Sequence, residues 1–225
     1  MDDLRAPPER LWVIPPGVDS GLFTPDRAGN EQALRERLGL EPGRPILVSA
    51  GRIQPLKDQE LGIRILAELS AMSPPPLLVI AGEGRRRHVP TAPRVGRRRP
   101  RRRERRAFRR RPGPGEPRDL FAAAECTLVT SYSETFGLVA LESAASGTPV
   151  FAHDGTGLSE SVSEGRSGYL LESREPADWA AAIRAHHADG ARVTSMRRSA
   201  RAFAEGFTWA TAAASHLALY ESLVR

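Results

Sequence analysis

The sequence predicts an α/β protein with a mostly parallel sheet. Strand-like and helix-like segments alternate along most of the chain, an order typical of βαβ units. Some of the strand-like segments are continuous apolar runs, such as PILVSA at residues 45–50, which is typical of strands covered on both faces. With 225 residues, 40% of them hydrophobic, the chain can bury a real core in one large domain or two small ones.

Five short apolar segments are predicted strands. They lie at residues 45–50, 77–81, 126–130, 149–152 and 168–171. Helical patterns fill most of the intervals between them. They lie at residues 31–38, 57–72, 118–125, 138–146, 176–187, 189–205 and 208–224.

Local signals support several of these helices. Asn30 is a suitable N-cap for the first helix, and Gly39 stands just past its end. The second helix, 57–72, carries leucines and isoleucines on one face at helical spacing. Pro176 occupies a plausible first position of the helix at 176–187.

Composition limits the classes of protein. The single cysteine, Cys126, excludes an intramolecular disulfide framework and fits a reducing compartment, where we expect it to be a core residue of its strand. No apolar run approaches the roughly 20 residues of a transmembrane helix. The first ten residues, MDDLRAPPER, lack the layout of a signal peptide. We therefore expect a cytoplasmic protein without a transmembrane segment.

Residues 85–118 interrupt this pattern. They hold sixteen arginines and two acids, a local charge of +14, so the rest of the chain carries −8 of the net charge of +6. The segment has too few apolar residues to offset the entropy of ordering, so we expect much of it to be disordered or loosely held. It takes the place where an α/β unit normally supplies a helix and a strand.

The stretch SYSETFGLVALESAASGTPV, residues 131–150, is the first candidate site. Ligands of open parallel sheets bind at the carboxyl ends of strands, and this stretch follows a predicted strand. A helix that starts near Gly137 directs backbone N–H groups toward that edge, which favours a phosphate. Glu134 and Glu142 can accept hydrogen bonds from hydroxyls. Together these features indicate a sugar nucleotide; the alternative is an acidic cap and a surface glutamate.

The stretch AGRIQPLKDQE, residues 50–60, is the second candidate site. It also follows a strand and opens a helix, and its Arg52 and Lys57 can bind phosphate oxygens. The alternative is a basic loop before a helix. Because a cation at a helix N-terminus is mildly unfavourable, a functional reason for Lys57 is favoured.

Other residues give weaker signals. Gly157 and Leu158 either line the same crevice or serve only the fold. His186 and His187 stand at the C-terminal end of a predicted helix, where a positive charge interacts favourably with the helix dipole. We favour that role over metal binding.

Five segments of the chain resemble the C-terminal, donor-binding half of the retaining GT-B glycosyltransferases of group 1, also called family 4. They are residues 13–19, 51–57, 134–142, 157–171 and 207–225, and the resemblance covers nearly the whole chain except 85–118. Segment 134–142 matches the paired-glutamate motif of that family, and segment 51–57 resembles its diphosphate-binding loop. The two are most similar to the members that transfer N-acetylglucosamine to inositol phosphate in mycothiol synthesis. Sucrose-phosphate synthase-like members and mannosyltransferases are close alternatives.

The resemblance implies a Rossmann-like parallel sheet with flanking helices and a role for each motif residue. Arg52 and Lys57 would bind the donor diphosphate and stabilise its charge as it leaves. Glu134 would hold hydroxyls of the transferred sugar, and Glu142 would hold the ribose. Further donor-binding positions are implied at Gly51, Thr135, Phe136, Gly137 and Leu138. The donor would be a nucleoside diphosphate sugar, with UDP-sugar favoured, and neither a metal nor another cofactor is expected.

The resemblance also implies a division of the chain. Residues 1–20 would be a linker remnant and domain entry, 21–207 the donor-binding domain, and 208–225 the closing helix. The N-terminal GT-B domain, which binds the acceptor, is expected to be missing, so the chain alone would be weak or inactive. A separately encoded N-terminal half is an expected partner.

The segment 85–118 leaves two hypotheses open. The chain has 32 arginines and one lysine, which suggests GC-rich coding DNA, and such DNA read in a shifted frame yields arginine, proline and glycine. The segment is therefore hypothesised to be frameshifted; the coding DNA, read in the other frames, would decide. The alternative function is nucleic-acid binding through the same arginines, in a salt-dependent and nonspecific manner.

Overall fold

The computed structural model describes residues 7, 10–26, 31–39, 41–83, 107–110, 116–155 and 157–224. The strands are β1 (Ile46–Ala50), β2 (Leu77–Ala81), β3 (Ala107–Arg110), β4 (Cys126–Val129), β5 (Val150–His153) and β6 (Gly168–Leu171). The helices are α1 (Glu31–Leu38), α2 (Gln59–Glu68), α3 (Glu116–Ala123), α4 (Leu138–Ala145), α5 (Leu158–Ser161), α6 (Pro176–His187), α7 (Gly190–Ala204) and α8 (Trp209–Leu223). Within this described part of the chain, no helix combines the length and apolar content needed to cross a bilayer.

The strands form one sheet in the order β3-β2-β1-β4-β5-β6, and every neighbouring pair is parallel. The first strand, β1, lies in the middle of the sheet. The next two strands, β2 and β3, are added on one side of β1, and the last three, β4 to β6, are added on its other side. The direction of winding reverses between β1 and β4, the kind of point where doubly wound folds bind ligands. The predicted Rossmann-like sheet with flanking helices is confirmed.

Helices cover both faces of the sheet, as the apolar strands predicted. On β1, Ile46 and Val48 pack into a cluster with residues of α1, β2 and α3. The intervening Leu47 points to the opposite face and packs with residues of α2 and with the fully buried Trp179 of α6. Alternate residues of one strand thus enter two different cores, which is why the strand reads as a continuous apolar run.

The predicted element bounds agree closely with the structure. Gly39 follows α1 with φ 62°, the left-handed conformation expected of a residue past a helix end. The predicted N-cap Asn30 lies outside the described residues. The helix predicted from residue 57 starts two residues later, because Pro55–Lys57 forms a separate 3₁₀ turn.

The segment 85–118, much of which is expected to be disordered or loosely held, forms regular structure at two places. Ala107–Arg110 forms β3, which pairs in parallel with β2, and α3 starts at Glu116 rather than at 118. An edge strand is held by backbone hydrogen bonds, which any non-proline residue can make whatever its side chain. Residues 85–106 and 111–115 lie outside the described residues, so their disorder stays a prediction.

Candidate functional site

The two candidate loops leave adjacent strands at the point where the winding reverses. β1 pairs directly with β4, and the loop after each strand lies at the carboxyl edge of the sheet. The loop after β1 holds Arg52 and Lys57, and the loop after β4 holds Glu134. The topology therefore brings together two motifs that are about 80 residues apart in sequence, a separation that the parallel α/β order requires.

The loop after β1 is tied back to the sheet before it reaches Lys57. The Gly51 N–H donates to the Ala81 carbonyl at 2.9 Å, and the Ile53 N–H donates to the Glu83 carbonyl at 2.7 Å. Ile53 is buried, whereas the neighbouring Arg52 is exposed. The backbone around Arg52 is thus anchored on both sides, while the residue itself is exposed.

Lys57 ends the 3₁₀ turn and is followed by an unusual residue. Asp58 has φ 41° and ψ 50°, a left-handed conformation that is uncommon for a residue with a side chain. Its carboxylate accepts a hydrogen bond from the Leu61 N–H at 3.3 Å and so caps α2. The break between the 3₁₀ turn and α2 falls at this residue.

The loop after β4 contacts the loop after β1 through side chains. The Lys57 ammonium donates to Glu134 Oε1 at 2.5 Å, and the Ser131 hydroxyl donates to the same oxygen at 2.7 Å. The buried Thr130 hydroxyl lies 3.0 Å from the carbonyl of Lys57 and 2.8 Å from that of Asp58. The predicted phosphate-binding cation Lys57 and the predicted hydroxyl-binding carboxylate Glu134 are therefore in direct contact, a pairing that the sequence did not indicate.

Two glycines shape the start of α4. Gly137 has φ 89°, which suits glycine, and its lack of a side chain leaves the first turn of α4 without a side-chain cap among the described residues. At Gly157 a Cβ would lie 2.0 Å from the Thr135 carbonyl oxygen, and the Gly157 N–H donates to the Glu134 carbonyl at 3.0 Å. The backbone at Gly157 thus lies directly against the segment 134–137 and holds it in place. Any residue with a Cβ at position 157 would prevent this close contact.

Glu142 lies in the second turn of α4 and is half-buried. Burial raises the pKa of its carboxyl group to about 7. Among the described residues its carboxylate has no hydrogen-bond or ion-pair partner. A half-buried carboxyl group near the carboxyl edge of a parallel sheet, with its pKa moved close to neutrality, is a typical functional group.

The other predicted positions take different surroundings. Thr135 and Leu138 are exposed beside Glu134, and Phe136 is half-buried and packs on Phe207 at 6.1 Å between ring centroids. Leu158 is buried in a cluster with Ala140 of α4, which favours the alternative that it serves the fold. The structure brings Lys57 and Glu134 into contact, and it places Arg52 and Glu142 on the same two strand-to-helix segments.

Four residues of this site were missed from sequence: Asp58, Thr130, Ser131 and Arg174. Arg174 follows β6, and its Nη2 donates to Asp58 Oδ2 at 2.5 Å and to the Thr130 carbonyl at 2.9 Å. The available signal was topological, because every loop that follows a strand of a parallel sheet lies at the same edge.

A cavity of about 320 Å³ lies elsewhere, at the amino-terminal end of β1. Its arginines are engaged by main-chain carbonyls; Arg197, for example, donates to those of Ala122 and Ala124. His187 contacts Glu125 there at 2.8 Å. These bonds tie α3 to α7, so we assign this cavity to packing.

The sequence belongs with known glycosyltransferases. The family model of the group 1 glycosyl transferases matches residues 30–203. The chain is 39% identical over 223 residues to the D-inositol 3-phosphate glycosyltransferase of Nocardia farcinica, which covers 95% of this chain and 48% of that protein. It is 36% identical over 236 residues to the protein of the same name from Stackebrandtia nassauensis, covering 100% of this chain and 52% of that one. The chain thus spans about half the length of the curated relatives it matches.

Solved structures show the same fold. HepE from Anabaena, solved in complex with UDP-glucose, matches 98% of this chain and 60% of its own with a TM-score of 0.79 and 22% identity. The sucrose-phosphate synthase of Thermosynechococcus elongatus matches 95% of this chain and 52% of its own with a TM-score of 0.74 and 26% identity. The parallel sheet, the family match over most of the sequence and relatives at 39% and 36% identity agree: this chain belongs to the group 1 glycosyl transferases, as a GT-B-type domain.

Proposed function

We propose that this chain binds a nucleoside diphosphate sugar between the loops after β1 and β4 and serves as the donor-binding half of a retaining glycosyltransferase. The observation that carries the proposal is the Lys57–Glu134 contact of 2.5 Å, which spans the point where the winding of the sheet reverses. The two side chains are largely buried, at 20% and 13% exposure, so the pair is held at the crevice rather than at the outer surface.

The cations of the site suit the diphosphate. Arg52 is exposed on an anchored backbone and can contact two phosphate oxygens at once, while Lys57 supplies a point charge. The open first turn of α4 at Gly137 adds backbone donors and the positive end of a helix dipole. When the bond between the anomeric carbon and the phosphate oxygen breaks, the diphosphate takes the electron pair, and these groups stabilise that charge.

The carboxyl groups suit the sugar and the ribose. Glu134 accepts hydrogen bonds from Lys57 and Ser131, so it serves as an acceptor for hydroxyl groups of the transferred sugar. Because the pKa of Glu142 is about 7, its carboxyl group can accept a hydrogen bond from a ribose hydroxyl, and in its protonated form it can also donate one. Overall, the donor and an acceptor hydroxyl give the glycoside, the nucleoside diphosphate and a proton. The side chains assigned here bind and orient the donor, and no metal or further cofactor is proposed.

UDP is the favoured donor nucleotide, and the transferred group is proposed to be a hexosyl or N-acetylhexosaminyl unit. The complex of HepE with UDP-glucose and the name of the Nocardia relative support this choice. The acceptor is proposed to bind to the other half of the enzyme, the half of the relatives that this chain does not match. The nucleic-acid alternative rests on 85–118, most of which lies outside the described residues, and the family match gives it no support; we do not propose it.

Isothermal calorimetry with UDP, UDP-glucose and UDP-N-acetylglucosamine tests the proposal. Arg52→Ala removes charge-assisted hydrogen bonds to phosphate, so we expect UDP affinity to fall about tenfold or more. Glu142→Ala should lower the affinity for the same ligands. Arg198→Ala is the control, because Arg198 is exposed on α7, a helix from which no residue is assigned to the site. Equal UDP affinity in the wild type and Arg52→Ala would contradict the proposal.

A further inference from the structure

Arg174 connects three loops at the carboxyl edge of the sheet. It stands between β6 and α6, yet its Nη2 bonds the Asp58 carboxylate after β1 and the Thr130 carbonyl after β4. Its guanidinium carbon also lies 3.8 Å from the centroid of the Tyr132 ring, in stacking contact. One side chain therefore reaches both loops of the candidate donor site.

The target of Arg174 is the residue that sets the backbone direction after Lys57. Among the described residues, Asp58 is the only non-glycine residue with positive φ. Because left-handed geometry is unfavourable for most side chains, Asp58 stays in it only where its surroundings fix it. Arg174 on one carboxylate oxygen and the Leu61 N–H on the other provide that constraint.

The same network holds the backbone of Lys57 itself. Thr130 contacts the carbonyls of Lys57 and Asp58, and Arg174 in turn bonds the Thr130 carbonyl. The Tyr132 N–H donates to the Leu56 carbonyl at 2.9 Å, one residue before Lys57. Arg174 thus supports the 3₁₀ turn from two sides, through Asp58 and through the loop after β4.

A further detail argues that the position of Arg174 is specific. Its Nη1 is buried and has no hydrogen-bond partner among the described residues. A buried donor without a partner is costly, and an arginine needed only for surface charge would turn that group to water. The contacts of Nη2 and the stack on Tyr132 keep it in place.

We propose that Arg174 is a positioning residue that, through Asp58, holds the Lys57 ammonium against Glu134, where it meets the donor diphosphate. The last clause rests on the proposed function, and the first does not. The expected consequence is that loss of Arg174 displaces Lys57 without removing any group that touches the donor.

The position of Lys57 can be measured without any ligand, because Lys57 is the only lysine in the sequence. Reductive methylation with ¹³C-formaldehyde therefore labels one side chain and the α-amino group, which NMR separates. Arg174→Ala should shift and broaden the dimethyl-Lys57 signal. Asp58→Asn should do the same, because asparagine tolerates left-handed geometry and keeps a capping oxygen but loses the charge that Arg174 binds.

Arg184→Ala is the matched control. Arg184 donates to the carbonyl of Glu68, which is the last residue of α2, whereas Lys57 lies just before the start of that helix. It should leave the Lys57 signal in place. Circular dichroism confirms that each variant is folded, and thermal melts give its melting temperature. All other measurements are then made well below that temperature. If Arg174→Ala does not fold, Asp58→Asn carries the test.

Calorimetry with UDP then separates positioning from direct contact. We expect Arg174→Ala to lower UDP affinity about tenfold, and to have no further effect when combined with Lys57→Ala. Arg174→Lys should restore part of the affinity, because it keeps the charge but not the planar fork. It is used only here, since it adds a second lysine to the NMR experiment.

Each outcome decides one of the two proposals. An unmoved Lys57 signal in both Arg174→Ala and Asp58→Asn overturns the positioning role, as does an equal loss of UDP affinity in the wild-type and Lys57→Ala backgrounds. A displaced Lys57 signal in the variants, together with a wild-type protein that binds no UDP, supports the positioning role and overturns the UDP proposal instead.

Discussion

Glu142 is a carboxyl group that burial makes hard to ionise. Its pKa is about 7 in the folded protein, against an ordinary value of 4.5 that the unfolded chain is expected to have. At a pH between these two values, Glu142 is mostly protonated in the folded protein and mostly ionised in the unfolded chain. Between these values the folded state binds more protons, so the free energy of unfolding falls as pH rises from about 4.5 to about 7 and then levels off. A group that weakens the fold at neutral pH is best explained by its use in binding.

Glu142→Gln should therefore stabilise the protein in a pH-dependent way. Glutamine resembles the protonated carboxyl and cannot ionise, so the gain should be small at pH 4.5 and on the order of 2–3 kcal/mol at pH 8. Urea titrations of the wild type and the variant at several pH values measure the difference. The same variant should bind UDP more weakly.

The control for this prediction is Glu60→Gln, on an exposed carboxylate of α2 that pairs with Arg64. Its effect should be small at every pH, as is usual for surface ion pairs. A pH-independent difference between the wild type and Glu142→Gln would show that Glu142 is not the group that titrates.

At the scale of single residues, the sequence located the motifs but not their partners. Lys57 and Glu134 were predicted on opposite sides of one crevice, because each follows a strand and precedes a helix. The Arg174–Asp58 bond joins residues 116 positions apart. Its existence depends on the rotation of two side chains that no local pattern reports, so it could not be predicted.

At the scale of elements, the segment 134–137 depends on Gly157, the residue that precedes α5. Gly157→Ala would place a methyl group 2.0 Å from the Thr135 carbonyl oxygen, and backbone on both sides must shift to relieve the overlap. We expect a loss of about 2 kcal/mol or more in the free energy of unfolding and a clear loss of UDP binding. Denaturant titration and calorimetry measure the two effects.

Gly155→Ala is the matched control, two residues earlier in the same loop. Among the described residues, a Cβ there meets only the His153 ring, at 3.7 Å, an ordinary contact, so the substitution should be tolerated. If Gly157→Ala behaves like Gly155→Ala, the close approach of the two loops does not hold the site.

The elements themselves were largely predictable, for a physical reason. β1 and β2 are buried on both faces, so their sequences are apolar except for Ser49 and stand out against polar loops. β3 has the opposite character: its sequence, AFRR, is half arginine and gives no strand signal. The open edge of β2 provides a template for backbone pairing, and that template exists only in the folded molecule.

At the scale of the whole molecule, the proposed second half needs a surface on which to dock. α8 offers one, because Ala212 is its only buried residue among those described. Trp209, Leu217 and Tyr220 are 56–60% exposed on this helix, and Trp12 near the start of the chain is 54% exposed. Exposed aromatic and aliphatic side chains of this kind are typical of an interface.

The part of the Nocardia farcinica relative that this chain does not match is a suitable trial partner, since this chain aligns with only 48% of that protein. Under the proposed function, mixing the two should give a complex that releases UDP from a UDP-sugar when the compound in that relative's name, D-inositol 3-phosphate, is present as a trial acceptor. Leu217→Glu would bury a charge in the interface and should weaken the complex about a hundredfold. Ala191→Glu, at an exposed position in the first turn of α7, adds the same charge elsewhere and should have no effect.

Analytical ultracentrifugation measures the complex and a coupled assay measures UDP release. A complex that forms equally well with Leu217→Glu would show that α8 is not the docking surface. UDP release that is no faster in the mixture than with this chain alone would show that this partner does not complete the enzyme.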